Sequence, residues 1–199
     1  MKIVFLDIDG VVNSSRSVIV KMGPKEDSGA ALPLWTFAAL DGEDKPEYGC
    51  LFGLRTVDPV CVALVNKLFE AGPTIQLVLS STHRKFLWNS VVPFGSDAHL
   101  ARLRAYLTAM GFKVPAAFSV TPVLHQRRGK EIEAWMDAAT ARGEFDGDTS
   151  EYVILDDDSD MEPWQLSFVR VNPEHGFSFS DYAQACKYLG LKEPGMVLL

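Results

Sequence analysis

The chain has 199 residues, of which 47% are hydrophobic and 23% are charged, and its formal net charge is −7. This is the composition of a folded globular protein, and the length fits one domain, 1–199, with a small elaboration. The acidic balance argues against tight non-specific binding to duplex nucleic acid, although it still allows a local basic pocket for an anionic substrate.

Cysteine usage and hydropathy narrow the class of protein further. The three cysteines include no C-x-x-C pair, which argues against a disulfide framework or a cysteine zinc site. No apolar stretch approaches the roughly 20 residues that a membrane helix needs, and the opening segment is too short for a signal peptide. We therefore expect a cytoplasmic protein with no membrane association and no obligate protein partner.

The first part of the chain predicts a buried strand and then an irregular segment. The apolar run Ile3 to Leu6 predicts the strand, and Asp7, Ile8, Asp9 and Gly10 follow it. Between residues 13 and 57 the periodicity weakens, and Gly, Pro, Asp and Glu interrupt it. An insert of this length is uncommon without a fold or a function of its own.

The remainder of the chain alternates helices with strands. Asp58 and Pro59 predict a helix that reaches about Ala71, with Asp58 as its N-cap. Further helices are predicted over 97–110, 130–141 and 181–189, and strands over 75–79, 117–120, 152–155 and 168–171. This alternation predicts an α/β fold, a Rossmann-like three-layer sandwich with a mainly parallel sheet. Ligands of such folds bind at the carboxyl ends of the strands.

Asp7 and Asp9 lie two residues apart at the end of the first strand, so both carboxylates can point to one face. Carboxylates this close repel one another unless a cation lies between them or one is protonated. Mg²⁺ prefers such oxygen ligands, and Gly10 would allow a sharp turn of the backbone. A solvated acidic turn is the alternative interpretation of so short a motif.

Asp156, Asp157, Asp158 and Asp160 follow the strand predicted over 152–155. A solvated loop is the simplest interpretation of an acidic run. An EF-hand is excluded because Met161 stands where that loop needs glycine, Ser167 stands where it needs glutamate, and a strand precedes the run.

Hydroxyl and basic side chains occupy the other predicted strand and helix ends. Ser80, Ser81 and Thr82 end the strand over 75–79, where their hydroxyls and backbone N–H groups could hold phosphate oxygens. Such a tripeptide also serves as a simple turn or cap. Positive charge comes from residues near the same edge, namely Arg84, Lys85, Arg127, Arg128 and Lys130.

Taken in order, these motifs resemble the haloacid dehalogenase (HAD) superfamily of phosphohydrolases. The matching segments are Phe5 to Val12, Leu77 to Ser81, Lys130, and Ile154 to Asp157. More narrowly, the chain is similar to small HAD domains of bacteria and phages, some of which are associated with RNA repair. It departs from them at His83, where an aromatic residue, usually Trp, is expected to contact the substrate.

The resemblance implies a role for each matching residue. Asp7 would be the nucleophile and carry an aspartyl-phosphate, and Asp9 would be the general acid and base. Mg²⁺ would be held by Asp7, the Asp9 carbonyl and Asp157, with Asp156 and Asp160 as further ligands or supporting residues. Ser80 and Lys130 would bind the transferring phosphoryl group, and the 13–57 insert would be a flap or small cap. The remaining phosphate-binding positions would be Gly10, Ser81, Thr82, Arg84 and Arg128.

The substrate is less sharply indicated. The basic residues and the insert aromatics Trp35, Phe37 and Tyr48 favour a nucleotide or a phosphorylated nucleic-acid end, and a small sugar or metabolite phosphate is the alternative. A non-catalytic binding module on the same scaffold is a further alternative. A phospho-accepting receiver domain is disfavoured, because its phosphorylated Asp ends a middle strand, whereas the middle strand here ends in Ser80.

Overall fold

The computed structural model describes residues 1–22, 56–72, 74–87, 91–147 and 150–192. Within them, five strands and five α-helices follow one another, with one 3₁₀ helix over Thr82–Lys85. In chain order they are β1 (Lys2–Leu6), α1 (Ser15–Met22), α2 (Pro59–Glu70), β2 (Ile75–Leu79), α3 (Asp97–Ala109), β3 (Phe118–Val120), α4 (Arg128–Ala141), β4 (Glu151–Asp156), β5 (Phe168–Arg170) and α5 (Phe179–Tyr188).

The strands form one parallel sheet in the order β3-β2-β1-β4-β5, with β1 at its centre. Leu6 at the end of β1 pairs with Leu79 of β2 and with Leu155 of β4. The residues that come next along these three strands therefore reach the same edge of the sheet side by side.

The two faces of the sheet are buried by different helices. Ile3 and Phe5 pack with α4, where the ring of Trp135 meets Phe5 edge-on at 5.3 Å between centroids. Val4 and Leu6 point to the other face and pack with apolar residues of α2, α3 and α5. This alternation of side chains along a strand confirms the predicted α/β sandwich of three layers.

Most helix boundaries agree with the sequence prediction. Asp58 accepts a hydrogen bond from the Val60 amide at 2.9 Å, as expected of the N-cap of α2. Helix α4 differs, because it begins at Arg128 and not at Lys130. The difference moves Lys130 into the first turn and changes which cation can face the sheet edge.

The 13–57 insert is helical at its start, where α1 covers Ser15–Met22, and not irregular as predicted there. Arg16 of α1 binds Asp58 at 2.8 Å and so ties this helix to the beginning of α2. The insert aromatics Trp35, Phe37 and Tyr48 lie outside the described residues, and the flap or cap stays a prediction. Among the described helices, none is long and apolar enough to cross a membrane.

Candidate active site

The polar side chains singled out in the sequence meet at the carboxyl edge of the three central strands. The Asp7 amide donates to the Leu155 carbonyl at 2.9 Å, and the Ser80 amide donates to the Leu6 carbonyl at 2.9 Å. These bonds continue the parallel ladders by one residue beyond β1 and β2. Asp7 is therefore held rigidly between the end of β2 and the end of β4.

Asp7, Asp156 and Asp157 form an acidic cluster in which each residue offers a carboxylate oxygen and all of these oxygens lie within 4.8 Å of one another. Asp7 and Asp156 are buried, and Asp157 is partly buried. Asp156 Oδ2 is buried without a hydrogen-bond partner among the described residues. An all-oxygen donor set with an unsatisfied buried carboxylate oxygen fits a hard divalent cation such as Mg²⁺.

The electrostatics of the cluster support the same conclusion. Burial raises the pKa of Asp7, against the lowering effects of the Arg128 charge and a hydrogen bond from Ser81. Burial and the charge of Asp7 raise the pKa of Asp156 to about 8, and the same two causes raise the pKa of Asp157. Keeping three ionised carboxylates together here is unfavourable, and a divalent cation among them would relieve that repulsion.

Gly10 makes room for this cluster. Its backbone is in the left-handed region, with φ at +74°, and a Cβ atom there would lie 2.2 Å from Asp157 Cγ. Only glycine satisfies both conditions. The structure thus assigns Gly10 a role in the turn and in the placement of Asp157, while the predicted phosphate contact is untested.

Asp9 lies outside the acidic cluster and has an exposed carboxylate. His83 Nε2 contacts both carboxylate oxygens, at 3.2 and 3.1 Å, and Asn13 donates to one of them at 3.2 Å. Partial burial raises the pKa of Asp9, but the hydrogen bonds from His83 and Asn13 and nearby positive charge outweigh it, so the pKa is lowered. His83 thus turns towards a catalytic candidate and is itself buried.

Arg128, and not Lys130, faces the nucleophile candidate. Its Nη1 lies 3.8 Å from Asp7 Oδ1, and its Nε lies 3.8 Å from Asp156 Oδ2. Nη1 is buried and has no hydrogen-bond partner among the described residues. A guanidinium with a free donor next to a buried carboxylate is well placed to receive a phosphoryl oxygen.

Lys130 instead pairs with the neighbouring acidic side chains of Glu133 and Glu162. Its Nζ donates to Glu133 at 2.7 Å and lies 3.5 Å from Glu162. The hydrogen bond to Glu133 is the main reason why the pKa of Lys130 is raised. The structure therefore does not bring Lys130 together with Asp7, and this differs from the role expected of it.

The hydroxyl residues after β2 have separate roles. Ser80 Oγ is buried and without a hydrogen-bond partner among the described residues, so it can still donate to a ligand. The Ser81 hydroxyl binds Asp7 and also accepts from the His83 amide at 3.3 Å, which caps the 3₁₀ helix. Thr82 is the first residue of that helix and its side chain is exposed.

Arg84 supports the surrounding loops, whereas the sequence led us to expect that it binds phosphate. Its guanidinium is buried and donates to four backbone carbonyls and one carboxylate, which uses all five of its N–H groups. The acceptors are the carbonyls of Ser80, Ser81, Thr121 and Pro122 and the carboxylate of Glu131. Arg84 thereby fixes the loops that follow β2 and β3 against the first turn of α4.

The acidic run after β4 also has a structural member. Asp160 Oδ2 accepts from the Arg128 amide at 2.8 Å and satisfies the first turn of α4. Gly129 packs so closely on the 161–165 loop that a Cβ would lie 2.5 Å from the Glu162 amide nitrogen. Asp160 is thus a helix cap for α4 and lies outside the acidic cluster. Its other oxygen, Oδ1, is buried without a hydrogen-bond partner among the described residues, so its suggested part at the metal stays a prediction.

Comparison with known proteins agrees with this architecture. The model of a family described as the HAD domain in Swiss Army Knife RNA repair proteins matches residues 3–182. No curated protein and no solved structure matches the chain. The matched range contains the five described strands, apart from Lys2 at the start of β1, and every residue of the acidic cluster.

Proposed function

We propose a phosphatase function from one premise: the chain belongs to the HAD superfamily, in the family described for Swiss Army Knife RNA repair proteins. This membership indicates a HAD-type phosphohydrolase. The finer proposal is a Mg²⁺-dependent phosphomonoester hydrolase that acts through an aspartyl-phosphate. One observation carries it: the Asp7 carboxylate lies 3.8 Å from the free donor of Arg128 and within 4.8 Å of the carboxylates of Asp156 and Asp157.

In the proposed first step, a carboxylate oxygen of Asp7 attacks the phosphorus atom and the bond from phosphorus to the leaving oxygen breaks. Asp9 takes up a proton when the negatively charged ester binds beside it and then gives that proton to the leaving oxygen, so the alcohol leaves neutral. Ser80 Oγ and Arg128 Nη1, both buried without hydrogen-bond partners among the described residues, donate to the phosphoryl oxygens. Preorganised donors of this kind stabilise the charge of the phosphoryl group in the transition state of its transfer.

In the second step, water attacks the phosphorus atom of the aspartyl-phosphate. Asp9, now ionised, takes the proton from this water, and the bond between phosphorus and Asp7 breaks to release inorganic phosphate. Mg²⁺, held by Asp7, Asp156, Asp157 and the Asp9 carbonyl, would neutralise charge on the phosphoryl oxygens and on the nucleophile.

For the substrate we propose the phosphorylated end of an RNA or a nucleotide. The family description names RNA repair proteins, and this is the main support. Arg84 no longer contributes, because its five N–H groups are used internally. Lys85, which follows Arg84 in the sequence, and the exposed Arg127, which precedes Arg128, remain as basic residues that could meet the substrate.

The test is release of inorganic phosphate, with Mg²⁺ present, from oligoribonucleotides that carry a 3′- or a 5′-phosphate, from mononucleotides and from sugar phosphates. We expect the highest kcat/KM with a phosphorylated RNA end. Faster turnover of a sugar phosphate would favour the small-metabolite alternative. Equal activity of Asp7→Asn and wild type would refute the mechanism, and a folded wild type without activity on any substrate would favour a binding module.

A further inference from the structure

His83 lies in a buried hydrogen-bonded chain that links Asp9 to helix α3. Its Nε2 contacts the Asp9 carboxylate, and its Nδ1 lies 2.9 Å from the Tyr106 hydroxyl. His83 is 3% exposed and Tyr106 is fully buried. A buried imidazole with both ring nitrogens engaged has one fixed orientation.

The tautomer follows from the partners. In the enzyme without substrate, an ionised Asp9 only accepts hydrogen bonds, so Nε2 carries a proton and donates to it. In the neutral ring Nδ1 is then an acceptor, and the Tyr106 hydroxyl donates to it. The ring is also packed against Phe86, at 4.8 Å between centroids.

Asp9 depends on this contact for its position. Its carboxylate is about half exposed, and the side chains that hydrogen-bond to it within the described part of the chain are His83 and Asn13. The acidic cluster lies close enough for the charge of Asp9 to act on Asp7 and Asp157. A divalent cation held by that cluster would be a competing partner for any free carboxylate. A carboxylate bound to that cation could no longer exchange a proton with the leaving group or with water.

We infer that His83 is a positioning residue. Together with Tyr106 it holds the Asp9 carboxylate outside the acidic cluster, so that Asp9 can serve as acid and base. This inference rests on the proposed function, because it assigns His83 to the same reaction. His83 acts through Asp9 and needs no contact with the substrate. At position 83 the chain thus has a residue that orients Asp9, the proposed acid and base.

The kinetic test compares two phosphate esters. p-Nitrophenyl phosphate has a good leaving group that needs little protonation. Hydrolysis of an RNA 3′-phosphate instead expels the ribose 3′-oxygen, which is a poor leaving group unless it is protonated. The ratio kcat/KM reports the steps up to formation of the aspartyl-phosphate. We expect His83→Phe to lower kcat/KM for the RNA ester by about 100-fold, within the usual contribution of general acid catalysis, and to change the aryl ester far less.

Two matched variants separate positioning from packing. His83→Gln keeps an N–H donor near Nε2 and should recover most of the activity on the RNA ester. Phe86→Leu alters packing on the imidazole without removing a hydrogen bond to Asp9, and should affect the two esters equally. Equal loss on both esters in His83→Phe, or no recovery in His83→Gln, would overturn the inference.

A spectroscopic measurement tests the same geometry without any turnover. In ¹H–¹⁵N spectra of the wild-type protein, the His83 ring should show a protonated Nε2 and an unprotonated Nδ1, and Tyr106→Phe should shift the Nδ1 signal. A protonated Nδ1 with a bare Nε2 would overturn the inference. If Asp7→Asn and wild type were both inactive while the tautomer was as stated, the proposed function would fail and the positioning contact would stand.

Discussion

The guanidinium of Arg128 faces the carboxylate of Asp7, with 3.8 Å between Nη1 and Oδ1. Nη1 has no hydrogen-bond partner among the described residues. This leaves it free for a phosphoryl oxygen that is being transferred to Asp7. Lys130, two residues later, is bound to Glu133 on the same helix.

We therefore expect Arg128→Ala to reduce kcat/KM by about 100-fold or more, which is the usual cost of removing one preorganised donor from a transition state. Arg128→Lys should recover only part of this loss, because an ammonium cannot reproduce the fork of a guanidinium. Phosphate release under single-substrate steady-state conditions is the measurement.

Lys130→Ala is the matched control, because it removes a cation from the same helical turn. Lys130 pairs with Glu133 and Glu162 and not with Asp7, so we expect little change in kcat/KM. Because these ion pairs are partly exposed, we also expect little change in stability. A large loss in Lys130→Ala together with a mild effect of Arg128→Ala would contradict the assignment.

Arg128 occupies the place beside Asp7 that the sequence led us to expect for Lys130, and the start of α4 shows why. Apolar runs and the cap at Asp58 were enough to predict the strands and α2. Helix α4 begins at Arg128 because the Asp160 side chain accepts from its amide, across 32 positions of sequence. The residues at 127–130 contain no pattern that predicts this contact, because Arg127, the N-cap residue, makes no side-chain hydrogen bond to the helix.

The same reason applies to Arg84 and His83. In the sequence both belong to a basic stretch after β2, which indicates a solvated or phosphate-binding turn. Their partners Glu131 and Tyr106 lie 47 and 23 residues away, and only the fold brings them together. The ends of the central strands were predictable because each is set by local pattern and parallel pairing, whereas the cation contacts depend on tertiary packing.

Metal binding should stabilise the fold through the acidic cluster. A ligand that binds only the native state at 100 times its Kd adds about 2.7 kcal/mol to the free energy of unfolding. We expect Mg²⁺ to raise the Tm of the wild type and to have little effect on Asp157→Asn. Asp158→Asn is the control, because Asp158 is exposed and outside the cluster. A Mg²⁺ shift that survives in Asp157→Asn would show that the cation binds elsewhere.

Gly10→Ala tests the close approach of Asp157. The left-handed backbone costs about 1–2 kcal/mol for a residue with a Cβ, and the new atom would also collide with Asp157. We expect lower stability and loss of the Mg²⁺-induced shift in Tm. Gly95→Ala has nearly the same φ, +75°, but no atom within 4 Å of its Cβ, so it should lose stability and keep the shift. Equal behaviour of the two variants would contradict this account of Gly10.

Arg84→Ala should act on stability first. Removing one partner of a buried ion pair costs about 3–5 kcal/mol, because the remaining charge is left unpaired. We expect a lower midpoint of urea unfolding, whereas Lys85→Ala, the next residue along the chain, should differ little from wild type. A stable Arg84→Ala protein with a raised KM would instead support direct phosphate binding.

Acid should weaken the fold through His99. This side chain is buried, accepts from the Gly95 amide at 3.0 Å and lies 3.0 Å from the Phe86 carbonyl. Burial lowers its pKa from the ordinary value of 6.5. The unfolded state therefore binds more protons just below that pH, and the free energy of unfolding falls as the pH drops through 6.5 towards the folded-state pKa.

Urea unfolding between about pH 7.5 and pH 5.5 measures this dependence directly. We expect His99→Gln to be less stable than wild type at the higher pH, because the two hydrogen bonds of the imidazole are disturbed, and to lose less stability on acidification. His175→Gln is the control for replacing a histidine as such, since His175 is exposed. If wild type and His99→Gln lost stability in parallel, the acid sensitivity would have to come from other groups, since a neutral buried His99 would no longer account for it.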